Sequence, residues 1–455
     1  MKMTRRCLLS SSLIAALYGV TKPATTMAST GAIPWRNWSG GLVANPIARF
    51  SPKNDAELAE FFATSKGSIR PVGSGHSFTP LVPTDGHLVV LDQMTGLIEH
   101  DATELTATFA AGTRLGDMGE PLSNLGQAMD NLPDIDRQTL AGATATGTHG
   151  TGINFKSLSG YVKELRLITP LGEQLDVTQD DKDLLNAARV SLGALGVITQ
   201  MTLQNRTPYQ LKQTSWIMKT DEVLSQFDEQ AANHRHFEIF PLTHSDYSIA
   251  LATDETEEPI NNPPASPEDE AAFDDAMRGW MLVRPEQRKP LINGLAEMIE
   301  PSSRVDASYR ILTNIRNNRF NEMEYSVPLD AGAECLQEVL RTIEQKRIDV
   351  VFPLEYRYVA PDDTWLSMSA GHKGHAAISI HRIATEDYRP YFDVIEPIFW
   401  KYHGRPHWGK VHSLGASELT ELYPNFGRFQ ALREKLDPEG RMLNDHLRTL
   451  FGVKT

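Results

Sequence analysis

The chain is poor in cysteine, with two in 455 residues, Cys7 and Cys335. Cys7 sits in a basic-then-apolar leader, so cleavage of that leader would leave Cys335 alone. One thiol excludes an intramolecular disulfide and a zinc site built on several thiolates. Positive charge is also scarce: 44 Lys and Arg stand against 58 Asp and Glu, a net charge of −14. That balance speaks against nucleic acid or an anionic membrane surface as a partner, because both need clustered basic residues. It leaves room for a local cationic pocket that holds an anionic cofactor. The apolar stretch Leu8–Val20 is too short for the roughly 20 residues that span a bilayer. Apolar residues make up 40% and charged residues 22%, ordinary for a globular chain of two-domain length.

The leader reads as an export signal over residues 1–28. Thr4-Arg5-Arg6 before Leu8-Leu9 has the look of a twin-arginine signal, Lys22 fits that route, and Thr26-Met27-Ala28 is a small-residue cleavage site. An ordinary secretory signal that carries two arginines is the alternative. The first reading implies the twin-arginine export machinery as a partner, and a periplasmic or secreted protein that folds around its cofactor before export. Cleavage would remove four basic and no acidic residues and take the net charge from −14 to −18.

Local patterns then organise the chain. Asn54 or Asp55 caps a helix over Ala56–Thr64. "SIRPVG", "HLVVLD" and "LTATFAAG" read as strands. In "TRLGDMGEPLSNLG", Leu115, Met118, Leu122 and Leu125 share one helical face, with Gly126 as the cap. "VKELRLITPLGEQLDVT" reads as a hairpin turning at Pro170-Leu171-Gly172. "DKDLLNAARVSLGALGVITQMTLQNR" reads as a helix, a Gly-rich turn and a strand. Residues 41–208 are therefore expected to form a strand-rich α+β unit without the regular alternation of a doubly wound sheet. The acidic, proline-rich stretch 254–275 is too polar to bury and reads as an exposed loop or insertion.

Two glycine-rich stretches carry chemistry. In "RPVGSGHSF" (70–78), Gly73 and Gly75 permit positive φ and let backbone N–H groups converge on an anion. In "LAGATATGTHGTG" (140–152), small residues let the backbone approach a flat or phosphorylated ligand. Neither matches GxGxxG or GxxxxGK[ST]. Two such stretches in one unit, each with a histidine and small hydroxyl residues, favour a dinucleotide site.

Here the sequence resembles a known family. "VGSGHS" and "AGATATGTHGTG" are similar to the two flavin-binding signatures of the vanillyl-alcohol-oxidase (PCMH-type) flavoproteins. "GALGVIT" (193–199) resembles the segment by the flavin's adenine end. "LEYRYV", "ISIHRI", "RPHWGK" and the tail "YPNFGRFQALREKLDPEGRMLNDHLRTLF" resemble the sugar-1,4-lactone and alditol oxidase branch. The resemblance spans roughly residues 35–452. It implies an α+β, two-domain flavoprotein: a PCMH-type FAD-binding domain at 41–208 and an α+β substrate (cap) domain at 209–452 with a closing C-terminal segment. It places Val72, Gly73, Ser74, Gly75, His76, Ser77, Ala143, Gly147, Thr148, His149, Gly152, Val197 and Ile198 at FAD. It also implies that His76 is bonded covalently to the flavin, a tether some relatives lack.

On the substrate side, Glu355 and Arg357 lie two apart in a strand-like stretch and so share one face. Alone they would read as a surface ion pair. The resemblance makes them substrate ligands, the carboxylate for hydroxyls and the guanidinium for a developing alkoxide or lactone carbonyl. It places His381 over the flavin as the acceptor of the hydroxyl proton, and Lys410 as a fixed cation beside flavin and oxygen. Ile383 stands where alditol-type relatives have threonine. The implied activity is FAD-dependent oxidation of a CH–OH group of a sugar-1,4-lactone, as in D-arabinono-1,4-lactone oxidase, with hydride passing to the flavin and electrons to O2 to give H2O2. An alditol oxidase and a lactone dehydrogenase with another acceptor are the alternatives. No metal is expected. A metal-binding protein built on His372, His375, His381, His403, His407 and His412 is a rival from another class, but the spacings fit no tight metal motif.

Overall fold

The computed structural model describes residues 34–263, 278–314 and 318–454. The leader read at 1–28 and residues 264–275 of the acidic stretch lie outside the described residues; its first part, 254–263, is exposed or half-exposed.

The chain adopts the expected α+β class. Its first unit holds a small parallel sheet, with His87–Val90 between Ala48–Phe50 and Ile69–Val72. Beside it is a five-stranded antiparallel sheet in the order Leu97–Asp101, Thr106–Ala110, Val197–Gln204, Val162–Ile168, Gln174–Val177. Most of the local patterns are realised. Helix Asp55–Thr64 is capped by Asn54, whose side chain accepts from the Glu57 amide at 2.9 Å. The hairpin and the helix–turn–strand Lys182–Gln204 form as read. The helix expected over 113–126 divides into a 3-10 turn, Leu115–Asp117, and a helix, Gly119–Asn124; Gly116, Gly119 and Pro121 weaken a continuous helix there. The second glycine-rich stretch is not all loop, since its first six residues form helix Leu140–Ala145, capped by Thr139. The exposed edge strand Leu97–Asp101 has no alternating apolar signal to announce it.

The second unit is an eight-stranded antiparallel sheet. Its order is Ser302–Ala307, Gln210–Lys219, Tyr247–Glu255, His236–Pro241, Glu355–Val359, His375–Ile383, Phe320–Pro328, Arg405–Pro406. Helices Gly332–Gln345 and Arg389–Lys401 cover one face near Phe320–Pro328 and His375–Ile383, which leaves the other face for the first unit. Cys335 belongs to that helical layer; burial pushes its thiol up to about 12, so it is an inert core residue.

The C-terminal segment returns to the first unit. Arg70, fully buried on strand Ile69–Val72, donates to the carbonyls of Leu81 (2.8 Å), Leu192 (2.6 Å) and Gly193 (2.9 Å), and to that of Met442. Asn444 donates to Pro80 and Pro83 at 2.8 Å each. Burial pulls the Arg70 guanidinium down to about 9, with Asp437 opposing. Four carbonyls on a buried charge fix three distant stretches around the start of the first glycine-rich turn.

Candidate active site

A cleft of about 1270 Å³ runs between the first unit and the open face of the eight-stranded sheet. Both glycine-rich stretches and all three substrate-side segments reach it. The turn at 73–77 follows strand Ile69–Val72. Gly75 takes φ +70°, and a β-carbon on Gly73 would lie 2.2 Å from Thr139 Oγ1. Bare backbone at Gly73 therefore lets Thr139 cap the next helix while the turn stays open to the cleft. The amides of Ser74, Gly75, His76 and Ser77 find no acceptor among the described residues. His76 is stacked on Trp38 at 5.2 Å between ring centroids. Burial, then Lys410 and Arg114, pull its imidazole down to about 4, which leaves a neutral ring nitrogen at neutral pH.

Val72, Gly73, Ser74, Gly75, His76, Ser77, Thr148, His149, Val197 and Ile198 line the cleft, as do Glu355, Arg357, His381 and Lys410. Ala143, Gly147 and Gly152 do not. Ala143 is buried in the core under its own helix. Gly147 faces Met368 and Val190, and Gly152 packs on Phe155 and the Arg235 backbone. These three shape the loop from behind. Ile383 lies two residues beyond His381 on the same strand and pairs with Phe320 across the ladder, beside the cleft wall that His381 and Phe320 line.

The HWGK stretch meets the first glycine turn through backbone. Phe78 N donates to Gly409 O at 2.6 Å and Thr79 Oγ1 to Trp408 O at 2.8 Å. Two motifs more than 300 residues apart are thus one structure.

The polar end of the cleft is a network of buried charges, and its centre was missed by sequence reasoning. Strand Phe320–Pro328 places Glu322 and Glu324 on the cleft face among buried neighbours. Glu324, fully buried, accepts from His149 Nε2 at 2.8 Å, Ser379 Oγ at 2.7 Å and Arg357 Nη2 at 3.1 Å. Burial alone would raise its carboxyl; His149 first, then Arg357, hold it well below the usual range. Arg357 Nη1 lies 2.8 Å from Glu355 Oε1, so the pair that resembled a surface salt bridge is buried. Burial disfavours the Arg357 charge, yet Glu355 and Glu324 raise its pKa. Glu322 holds an ion pair with Lys410 and lies 3.5 Å from His381 Nε2; despite burial, Lys410 and His381 bring it to about 2. The signal was present as E-x-E in "NEMEYS": carboxylates at period two in a strand with apolar alternates.

Two triplets, His149–Glu324–His407 and Glu322–Glu355–His381, gather possible ligand atoms among the described residues. In the second, the Lys410 ammonium already occupies Glu322; in the first, His149 and Glu324 are bonded to each other. His407 is held near 3, chiefly by burial, and accepts from the Gly409 amide through Nδ1 at 3.0 Å. Of the six histidines of the metal-binding alternative, only His381 and His407 line the cleft.

Residues 46–178 match the family described as FAD binding domain, and residues 201–450 match the family described as D-arabinono-1,4-lactone oxidase. An L-gulono-1,4-lactone dehydrogenase of Mycobacterium tuberculosis is 36% identical, with 92% of this chain and 99% of that protein covered. An L-gulonolactone oxidase of Bos taurus is 28% identical (92% and 98% covered), and an alditol oxidase of a Streptomyces species is 28% identical (91% and 98% covered). The solved structure of cholesterol oxidase from B. sterolicum superposes with a TM-score of 0.75 at 15% identity, covering 92% of this chain and 96% of that one; this likeness is one of fold. The lining residues fit a dinucleotide: unpartnered amides at 74–77, bare backbone at Gly73, and small residues at Ala141, Gly142, Ser191 and Gly193 form the kind of cradle that takes a pyrophosphate.

Proposed function

The chain belongs to the D-arabinono-1,4-lactone oxidase family, and from that premise we propose that it binds FAD in the cleft and oxidises a CH–OH group of a sugar-1,4-lactone there, with O2 as the electron acceptor. The observation that carries this reading is the meeting of Glu355, Arg357, His381 and Lys410, from three separate segments, in the cleft that also holds His76. Bound FAD supplies the hydride acceptor and passes the electrons on. The protein's own groups bind and orient. Arg357 is clamped between Glu355 and Glu324 through Nη1 and Nη2, which fixes its charge beside the substrate oxygen on which negative charge develops. Glu355 completes the hold on a substrate hydroxyl. His381, oriented by Glu322, takes the hydroxyl proton. Lys410 keeps a cation at the junction of both motifs, where it favours oxygen reduction. Dehydrogenase chemistry with another acceptor is the second reading, favoured by the name of the 36%-identical relative.

Mixing the protein without oxygen with D-arabinono- and L-gulono-1,4-lactone tests the reading. The flavin is expected to bleach with at least one lactone, then to recover in air with equimolar H2O2. Bleaching with slow recovery in air, rescued by a dye acceptor, would select the dehydrogenase. No bleaching with any sugar lactone would overturn the substrate class.

We further propose that His76 carries the flavin covalently. A neutral imidazole nitrogen, held by stacking on Trp38, supports this because the free base is the nucleophilic form. Acid-precipitated protein should stay yellow and fluoresce as a band in a denaturing gel, and His76→Ala should lose the band. Release of all flavin from the wild type on precipitation would contradict the link.

Export of the folded protein through the twin-arginine route is the third proposal, supported by Thr4-Arg5-Arg6 and Leu8-Leu9. Replacing Arg5 and Arg6 with Lys should strand flavin-loaded precursor in the cytoplasm. Normal export of the double variant would dismiss this route.

A further inference from the structure

Among the ionisable side chains that line the cleft but have no part in that scheme, Glu238 stands beside the substrate-side arginine. Glu238, on strand His236–Pro241, lies directly across the antiparallel ladder from Arg357. Directly opposed residues rise from the same face with β-carbons about 5 Å apart. Glu238 Oε2 accepts from Thr151 Oγ1 at 2.6 Å. Its Oε1 has no hydrogen-bond partner among the described residues, yet it is not among the sealed, unpartnered atoms, and Glu238 lines the cleft. A carboxyl anchored through one oxygen and open through the other, beside the substrate-holding arginine, is placed to touch substrate.

We propose that Glu238 is a further substrate-binding residue, whose open oxygen donates a hydrogen bond to the lactone carbonyl while Arg357 holds the reacting oxygen, and that it thereby favours lactones over polyols. This rests on the lactone reading.

The charge balance of the cleft supports a donor at this position. At this end of the cleft Arg357 and Lys410 face the carboxylates of Glu322, Glu324 and Glu355. A fourth carboxylate would have no partner. Burial, and then the Glu355 charge, push Glu238 up to about 8, with Arg357 opposing. The charged and titratable groups around it are Arg357 and Glu355 on the adjacent strand, Asp134 from the facing loop, and His236 on its own strand. Strand Tyr247–Glu255, on its other side, sets Leu251 opposite it and turns Ile249, Leu251 and Thr253 to the cleft. Below that value Glu238 is a neutral acid that donates. A lactone carbonyl only accepts, so it needs this donor; a polyol hydroxyl does not.

The test compares wild type, Glu238→Gln and Glu238→Ala in the flavin-reduction step. Each is given a sugar-1,4-lactone and the polyol of the same carbon skeleton, across pH values on both sides of about 8. Wild type should lose efficiency with the lactone above that pH, as the ionised group stops donating and stands beside Glu355. Glu238→Gln keeps a donor that does not ionise, so it should retain lactone oxidation and lack that alkaline fall. Glu238→Ala should raise KM for the lactone by roughly 10- to 100-fold, the cost of one hydrogen bond in a polar site, with little change for the polyol. An unchanged lactone-to-polyol ratio in the alanine variant, or an alkaline fall that persists in the glutamine variant, would overturn the proposal while leaving the lactone reading intact. Failure of the wild type to be reduced by any lactone would overturn both. If the alanine variant does not fold, the pH profile of Glu238→Gln still decides.

Discussion

Everything in the reacting end of the cleft depends on one buried carboxylate, Glu324. Its three hydrogen bonds reach His149 in the second glycine-rich stretch, Arg357 on one neighbouring strand and Ser379 on another. Among the described residues, no other side chain is bonded to both the second glycine-rich stretch and the Arg357 guanidinium. Removing Glu324 would strip Arg357 of one of its two carboxylate partners and leave His149 Nε2 without its partner; breaking a buried ion pair costs about 3–5 kcal/mol where measured elsewhere. The backbone of the same residue accepts from the His407 amide at 2.9 Å, so the HWGK stretch is tied to the same point. The cleft is therefore an interface closed by charge, and its geometry is held from both sides at once.

Much of the first unit was legible in the sequence because its elements are announced locally. Asn54 before an apolar helix, alternation in "LTATFAAG" and a turn at Pro170-Leu171-Gly172 each specify a nearby shape. The glycine turn at 73–77 could be read as an anion cradle because the backbone chemistry of that turn lies in the residues themselves. The order of the eight strands could not be read. It pairs Glu238 with Arg357, more than 100 positions away, and no local pattern encodes such a pairing. Glu322, Glu324 and Glu238 were overlooked for the same reason: a glutamate alternating with apolar residues reads as a solvated face until the sheet that buries it is known. The resemblance pointed to Glu355, Arg357, His381 and Lys410, which line the cleft, and missed Glu322 and Glu324, which hold three of them.

The same network reconciles an acidic chain with a site for an anionic cofactor and an electron-rich transition state. Arg357 and Lys410 are concentrated at the cleft's polar end while the net charge of the whole chain is −14. Each is held by a carboxylate, which fixes its position and lowers the cost of burying it. Such groups need not reorganise when charge develops on the substrate oxygen, which is the physical basis of electrostatic catalysis. The apolar stretch of cleft lined by Ile217, Phe240, Ile249 and Leu251 excludes water from one flank and strengthens those interactions.

The most direct test of this account is single-turnover flavin reduction by the preferred lactone in Glu324→Gln. The amide preserves size and some hydrogen bonds but removes the charge that joins His149 to Arg357. With flavin still bound, reduction is expected to slow by about 100- to 1000-fold, the range seen when one preorganised electrostatic contact is lost. A folded, fully flavinated Glu324→Gln protein that is reduced at the wild-type rate would contradict it.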